Sequence, residues 1–241
     1  MRTAATSPAL DEYPVRISIG PNTVLEGDLT IPPDARGVVL FAHGSGSSRH
    51  SPRNRYVAQV LQQAGLATLL IDLLTAEEEA AERYTGHLRF DIELLAERLT
   101  RATDWLREHA ATHALPIGYF GASTGAGAAL LAAARHPDAV HAVVSRGGRP
   151  DLAGPALAKV RAPTLLIVGG DDVAVLRLNE DALAQLPAVK KLSIVGGATH
   201  LFEEPGTLER VADLARQWFV QYLTGKTVTS DKIKNRLMFF L

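Results

Sequence analysis

The stretch from Ile117 to Leu130, IGYFGASTGAGAAL, joins a short apolar run to a glycine-containing turn and then to a run of small residues. The apolar run has the length of a buried strand, and the alanine-rich run after it favours a helix. Ser123 stands at their junction, with Gly121 and Gly125 two residues to either side. This G-x-S-x-G spacing is that of a nucleophile elbow, a strand-to-helix turn that exposes a serine hydroxyl.

The catalytic role of an elbow explains why small residues flank Ser123 and why a helix follows it. Small residues beside Ser123 let the crowded backbone turn, and the backbone N–H of Thr124 lies at the positive end of the helix dipole. An N–H group in that position can stabilise a developing oxyanion. The pattern is short, but its place between a predicted strand and a predicted helix makes it specific. We therefore expect acyl-transfer chemistry at Ser123.

Short apolar runs alternate with longer helical patterns along the rest of the chain. The predicted strands are Val15–Ile19, Val24–Thr30, Gly37–Ala42, Ala67–Ile71, Ile117–Gly121, Val140–Ser145, Thr164–Gly169 and Lys191–Val195. The helical patterns cover residues 53–63, 87–109, 123–135, 175–186 and 207–223. Near-continuous apolar strands are typical of a parallel sheet covered on both faces, and the turn at residues 20–22 predicts a hairpin. We expect an α/β fold with a doubly wound, mostly parallel eight-stranded sheet, an antiparallel N-terminal hairpin and no lid domain.

Length and composition limit the function classes. The chain has 241 residues, 25 Lys and Arg against 26 Asp and Glu, and no cysteine. The balanced charge argues against a nucleic-acid partner, and the lack of cysteine excludes thiol catalysis. No apolar stretch has the length of a membrane span, so a cytoplasmic protein with no membrane partner is expected. We predict one domain over residues 1–224 and a tail over residues 225–241, whose apolar end suits a homodimer contact.

A second motif, HGSG at residues 43–46, directly follows the third predicted strand. In serine hydrolases the loop after this strand supplies one oxyanion-binding N–H, and the residue after the nucleophile supplies the other. The predicted donors are therefore the backbone N–H groups of Ser45 and Thr124. A glycine-rich turn without catalytic function is the alternative.

Two late loops carry an acid and a histidine. The strand Thr164–Gly169 is followed by Asp171 and Asp172, and the loop after the last strand ends at His200. The chain order Ser, Asp, His, each after a strand, is that of α/β-hydrolases, and the carboxyl ends of parallel strands meet at one edge of the sheet. His200 would accept the proton of Ser123, and an aspartate would fix the tautomer of His200.

Together these motifs make the chain resemble the α/β-hydrolase superfamily, and within it the dienelactone-hydrolase-like serine hydrolases. The resemblance covers roughly residues 15–223, including the HGSG, GASTG, GGDD and GATH segments. It implies Asp172 as the triad acid, since Asp172 fits the G-x-x-D-x-x-V pattern of related hydrolases, and leaves Asp171 to cap the next helix. Type members carry a cysteine nucleophile where this chain has Ser123, which moves the expectation from dienelactone toward general carboxylic esters.

The predicted function is a carboxylesterase that cleaves small esters through an acyl-enzyme, with no cofactor and no metal. Alternatives are a thioesterase, perhydrolase or acyltransferase on the same fold, or a non-catalytic member that binds a ligand or partner. A short-chain dehydrogenase pattern is a further alternative, because the chain contains G-x-x-x-G-x-G at residues 121–127 and Y-x-x-x-K at residues 222–226. A dinucleotide fingerprint belongs after the first strand, however, and here it follows the fifth.

Four residues near these motifs are candidates for substrate binding. They follow the third and sixth strands, whose carboxyl ends lie at the predicted site, and they are His43, Arg49, Arg53 and Arg146. The arginines could meet a substrate carboxylate.

Overall fold

The computed structural model describes residues 10–21 and 23–225. These residues form an eight-stranded sheet in the order β1-β2-β4-β3-β5-β6-β7-β8. The strands are β1 (Glu12–Gly20), β2 (Thr23–Thr30), β3 (Val38–Ala42), β4 (Ala67–Ile71), β5 (Ile117–Ala122), β6 (Val140–Arg146), β7 (Thr164–Gly169) and β8 (Lys190–Val195). Strand β2 is antiparallel to both β1 and β4, and the other neighbours are parallel. The predicted fold class is confirmed.

Helices cover both faces of the sheet. They are α1 (Pro52–Gln63), α2 (Ala76–Thr85), α3 (Ile92–Glu108), α4 (Thr124–Arg135), α5 (Val173–Gln185) and α6 (Thr207–Leu223). Alternate side chains of β3 enter different cores: Leu40 packs with residues of α3 and α4, and Phe41 with residues of α1 and α6. This alternation explains why the strands are apolar throughout rather than at every second position.

The region between β4 and β5 differs from the prediction of one long helical pattern over residues 87–109. A short 3-10 helix, Leu88–Phe90, precedes α3, and the Asp91 side chain accepts a hydrogen bond from the Leu94 N–H at the start of α3. The acidic run at residues 76–82 belongs to α2, which begins with a capping box between Thr75 and Glu78. Thr75 and Glu78 have the T-x-x-E spacing that marks such a box.

The turn after α2 is organised by Glu82, a carboxylate with 0% of its side chain exposed. Its oxygens accept hydrogen bonds from the Thr85 hydroxyl, from the backbone N–H groups of His87, Leu88 and Arg89, and from Nε of Arg89. Burial by itself would raise the pKa of this carboxyl, but the hydrogen bonds outweigh burial and lower the pKa to about 2.

We expect Glu82→Gln to lower the melting temperature near pH 7. The melting temperature of the variant should also decrease less than that of the wild type as the pH is lowered. The pKa of Glu82 in the folded protein lies below the ordinary value of 4.5. The stabilisation is therefore fully present above about pH 4.5 and is lost as the pH falls toward 2. Thermal unfolding between pH 2.5 and 7 measures both effects. Glu77→Gln, at an exposed position of α2, is the matched control, and equal curves for the two variants would contradict this role.

The part of the chain that the structure describes contains no helix with the length and apolarity needed to cross a membrane. It also contains no inserted lid domain between the strands and helices given above. The predicted tail lies outside the described residues from residue 226 onward, so its homodimer contact stays a prediction.

Candidate active site

Ser123 lies in the sharp turn between β5 and α4, with φ 51° and ψ −123°. A positive φ is uncommon for a residue other than glycine and is retained only where surrounding contacts hold it. Here the Ser123 N–H donates to the carbonyl of Arg146 at 3.2 Å. The Ser123 carbonyl accepts from the N–H groups of Ala126 at 3.1 Å and Arg149 at 3.0 Å. Three backbone hydrogen bonds therefore fix the turn.

The two elbow glycines are required by close backbone approaches. A Cβ atom on Gly121 would lie under 3.0 Å from the Ala126 backbone, and one on Gly125 would lie under 3.0 Å from the carbonyl oxygens of Ala42 and His43. Any larger residue would push α4 away from β5 or from the loop after β3. The glycines thus place Ser123 beside that loop.

Ser123, His200 and Asp172 form a hydrogen-bonded chain at the carboxyl edge of the sheet. Nε2 of His200 lies 3.3 Å from Oγ of Ser123, and Nδ1 of His200 lies 2.6 Å from Oδ2 of Asp172. The structure therefore brings together the three residues that the sequence singled out. Since an ionised aspartate only accepts, Nδ1 carries a proton and Nε2 is left to accept the proton of Ser123.

Asp172 is the N-cap residue of α5, yet its side chain makes no capping hydrogen bond. The carboxylate is thereby free to bind His200. The predicted capping role of Asp171 is wrong, because α5 begins one residue later than such a cap requires. Asp171 is exposed, and its N–H donates to the Ala198 carbonyl at 3.0 Å, which ties the aspartate loop to the histidine loop.

Of the two predicted oxyanion donors, the Ser45 N–H makes a contact that was not predicted. The Thr124 N–H lies at the start of α4, as expected, but the Ser45 N–H donates to the Thr124 hydroxyl at 2.8 Å. Thr124 is buried, with 5% exposed. The Ser45 N–H is therefore engaged by a side chain. No sequence motif marks this contact, since it depends on a rotamer of Thr124 and on two loops that meet.

His43 is held by the protein on both ring nitrogens. Nε2 accepts from the Leu73 N–H at 3.0 Å, so Nδ1 carries the proton and donates to the Gly44 carbonyl at 2.9 Å. Burial lowers the pKa of His43, which keeps the ring neutral. His43 thus ties the loop at residues 43–46 to the end of β4, and neither nitrogen is left for a substrate.

The charge of Arg49 is paired with carboxylates of the protein itself. Its guanidinium pairs with Asp72, with Glu26 at 2.9 Å and with Asp28 at 3.5 Å. Arg49 therefore joins the hairpin, β4 and the start of α1. It lines a cleft of about 580 Å³ beside the loop at residues 43–46, together with His43, Ser47, Arg53, Leu74 and Glu79.

Arg53 and Arg146 lie next to the loop that carries His200. Nη1 of Arg53 donates to Glu203 at 3.0 Å, and Cζ of Arg146 lies 5.9 Å from the centre of the Phe202 ring. Arg53 is thus paired with a carboxylate, whereas the side-chain hydrogen bond of Arg146 among the described residues goes to the amide oxygen of Asn54 at 3.3 Å.

Comparison with known proteins identifies relatives of the whole domain. Residues 37–165 match the sequence model of a family described as the alpha/beta hydrolase fold. A solved dienelactone hydrolase from Anabaena variabilis is 65% identical, with a TM-score of 0.87 over 89% of this chain and 99% of that chain. Carboxyl esterase 2 of Tuber melanosporum shares the fold at 18% identity, with a TM-score of 0.70 over 91% of this chain and 89% of its own.

Two curated relatives from Mycobacterium tuberculosis carry a different name. Each is 61% identical over 222 residues and is named as a candidate phosphoribosyl transferase. The match covers 92% of this chain but 49% of each relative. The chain therefore spans about half the length of the curated relatives that it matches.

Proposed function

The chain belongs to the α/β-hydrolase family, in its dienelactone-hydrolase-like group, and from this premise we propose that it is a carboxylesterase that cleaves small esters through an acyl-enzyme. The observation that carries the proposal is the hydrogen-bonded chain Ser123–His200–Asp172, with distances of 3.3 and 2.6 Å. A serine, a histidine and an acid bonded in this order are the parts that nucleophilic acyl transfer needs.

The proposed reaction follows from these contacts. Oγ of Ser123 attacks the ester carbonyl while Nε2 of His200 accepts the serine proton. The imidazolium that forms is stabilised by Asp172, whose carboxylate stays ionised. When the tetrahedral intermediate collapses, His200 returns the proton to the leaving alkoxide, and the acyl group remains on Ser123. A water molecule, deprotonated by His200, then attacks the acyl carbonyl. His200 returns the proton to Oγ of Ser123 as the bond to the acyl group breaks and the carboxylic acid leaves.

In this proposal the oxyanion of the intermediate accepts hydrogen bonds from the Thr124 N–H and from the Thr124 hydroxyl, which also accepts from the Ser45 N–H. We propose that the Thr124 hydroxyl keeps its hydrogen bond from the Ser45 N–H and donates its own proton to the oxyanion. A hydroxyl can accept and donate at the same time, and a charged acceptor strengthens the donated bond. The side chain after the nucleophile thereby becomes part of the oxyanion site.

Thr124→Val is expected to lower kcat by about 10- to 100-fold and Thr124→Ser by no more than a few-fold. Loss of one oxyanion donor costs about 10²- to 10³-fold, and the freed Ser45 N–H recovers part of that. Steady-state kinetics on one short ester measures both variants. A valine variant as fast as the wild type, or faster, would mean that the hydroxyl only blocks Ser45.

The proposal is tested by turnover of p-nitrophenyl esters from acetate to dodecanoate, beside an acyl thioester of matched chain length. We expect a burst of p-nitrophenol, because an acyl-enzyme accumulates, and faster turnover of short oxygen esters. Preference for the thioester would favour the thioesterase alternative. Absence of turnover with every ester would favour a binding protein on this fold.

The transferase name of the mycobacterial relatives does not alter this proposal. We propose that the transferase name refers to the half of those proteins that this chain does not match, since the match covers 49% of each relative. The cytoplasmic location remains a prediction.

A further inference from the structure

Asn179 is a buried polar side chain on α5, the helix that follows Asp172. It is 0% exposed, and the other buried residue of the helix, Ala182, belongs to the apolar core. Asp172 is the N-cap residue of α5, and Asn179 follows it by seven positions. Seven positions are close to two helical turns, so the two residues lie on the same side of the helix. A contact that holds Asn179 therefore also helps to hold the end of α5 that carries the acid.

Both amide hydrogens of Asn179 are donated. Nδ2 donates to the Val175 carbonyl at 2.8 Å, within α5, and to the Gly148 carbonyl at 3.0 Å, in the loop after β6. Oδ1 is buried and has no hydrogen-bond partner among the described residues. A buried polar atom without a partner costs free energy, and a leucine of similar size would avoid that cost. The amide is therefore explained by its two donated hydrogen bonds, of which the one to Gly148 leaves the helix.

The loop at residues 146–149, which accepts this hydrogen bond, contacts the other two members of the triad. The Arg146 carbonyl accepts from the Ser123 N–H at 3.2 Å. Gly147 lies against His200, since a Cβ atom on Gly147 would be 3.1 Å from the His200 carbonyl oxygen and 3.6 Å from Cε1 of its ring. The loop is thus in contact with both the nucleophile and the base.

The same loop is packed closely against the elements that carry Ser123. A Cβ atom on Gly148 would lie 1.9 Å from Oγ of Ser145 on β6 and 2.6 Å from Cβ of Ala126 on α4. The Arg149 N–H also donates to the Ser123 carbonyl at 3.0 Å. Because the loop is held by its surroundings, the hydrogen bond from Asn179 connects α5 to the nucleophile turn.

Two contacts therefore hold the acid in place. The Asp171 N–H donates to the Ala198 carbonyl at 3.0 Å, just before α5, and Asn179 binds the loop two turns into the helix. The Asp172 side chain makes no capping hydrogen bond of its own, so its position depends on how α5 is held. With the first contact alone α5 could pivot about its start, and the second contact prevents that rotation.

We propose that Asn179 is a positioning residue, which keeps the Asp172 carboxylate at hydrogen-bonding distance from His200. This inference rests on the proposed function. The hydrogen bond to Gly148 fixes α5 relative to the loop that contacts Ser123 and His200. Asn179 therefore acts on the reaction through the acid.

Asn179→Leu is expected to lower kcat/KM for p-nitrophenyl acetate by about 10- to 100-fold, because a misplacement of about 1 Å near reacting groups has an effect of that size. Leucine fills a similar volume and removes the amide. Asn179→Ala, which cannot overfill the site, is the second variant and should lose activity to a similar extent. Steady-state kinetics, corrected for the folded fraction from thermal unfolding, measures both.

The matched control is Leu186→Ala. Leu186 is 2% exposed and lies at the end of α5 opposite to Asp172. Its truncation leaves a cavity and should lower the melting temperature. The kcat/KM of the folded control should stay within about two-fold of the wild type, since surroundings distant from the triad do not set its geometry. A loss of kcat/KM in this control as large as in Asn179→Leu would overturn the inference.

A double-mutant cycle shows whether Asn179 acts through Asp172. In the Asp172→Asn background, Asn179→Leu should lower kcat/KM by less than about two-fold, because the carboxylate that it positions is already absent. A merely structural role would give the same factor in both backgrounds, and that result would overturn the inference.

Proton NMR tests the contact without turnover. The proton on Nδ1 of His200, bonded to Asp172 at 2.6 Å, should give a downfield resonance that is absent from His200→Gln. We expect this resonance in the wild type and in Leu186→Ala, and expect it moved upfield or lost in Asn179→Leu. An unchanged resonance in folded Asn179→Leu would overturn the inference. If the wild type turned over no ester, the esterase proposal would fail, whereas the comparison of these resonances would still decide the role of Asn179.

Discussion

Replacing Ser123 by alanine is expected to lower kcat by about 10³- to 10⁶-fold, the range of losses when one member of a triad is removed. The hydroxyl is the group that forms the acyl-enzyme, and no other side chain in the described structure is bonded to Nε2 of His200. Ester hydrolysis measured with excess enzyme, to detect a slow residual rate, gives the size of the loss.

The fold of this variant should be intact. Alanine at position 123 keeps the Cβ atom and the backbone hydrogen bonds to Arg146, Ala126 and Arg149. Its melting temperature should therefore stay near that of the wild type, which separates loss of the nucleophile from loss of structure. Activity within tenfold of the wild type in the folded variant would remove Ser123 from the mechanism.

Asp172→Asn is expected to lower kcat by about 10⁴-fold, whereas Asp171→Asn should change it only a few-fold. The Asp172 carboxylate accepts from Nδ1 of His200 at 2.6 Å. An asparagine amide that donates to Nδ1 would instead favour the tautomer with its proton on Nε2, which cannot accept the proton of Ser123. Asp171 is exposed and makes its contact to the histidine loop through its backbone, which the substitution keeps.

Adjacent aspartates make this a matched pair, because both substitutions remove one charge from the same loop. Kinetics with a short ester at fixed ionic strength measures the difference. If Asp171→Asn were the damaging change, the catalytic acid would be Asp171 and not Asp172, the residue bonded to His200 in the structure. A similar loss in both variants would point to the net charge of the loop instead of to the tautomer.

The sheet could be predicted from the sequence because its strands are buried on both faces. The bounds of β4 and β7 are those predicted, Ala67–Ile71 and Thr164–Gly169, since continuous apolar runs end at clear turn residues. The elbow was predictable for a related reason. Its glycines are required because the backbone of nearby residues and of one neighbouring loop approaches them closely. Such a local requirement appears in the sequence as a short motif.

Other features depend on contacts between distant parts of the chain and left no such motif. The hydrogen bond from the Ser45 N–H to the Thr124 hydroxyl joins two loops, and the hydrogen bond from Arg146 to Asn54 joins β6 to α1. Sequence analysis named Arg146 for substrate binding, together with Arg49 and His43. Only the structure shows that Arg49 is paired with carboxylates of the protein and that both ring nitrogens of His43 are bonded to the backbone.

The central claim, that Ser123 is an activated nucleophile, is tested most directly by a fluorophosphonate probe followed by mass spectrometry of the digested protein. Activation by His200 predicts one adduct per chain, located on Ser123 and absent from Ser123→Ala. An unmodified Ser123 after prolonged exposure of the folded protein, or an adduct on another residue, would contradict the account.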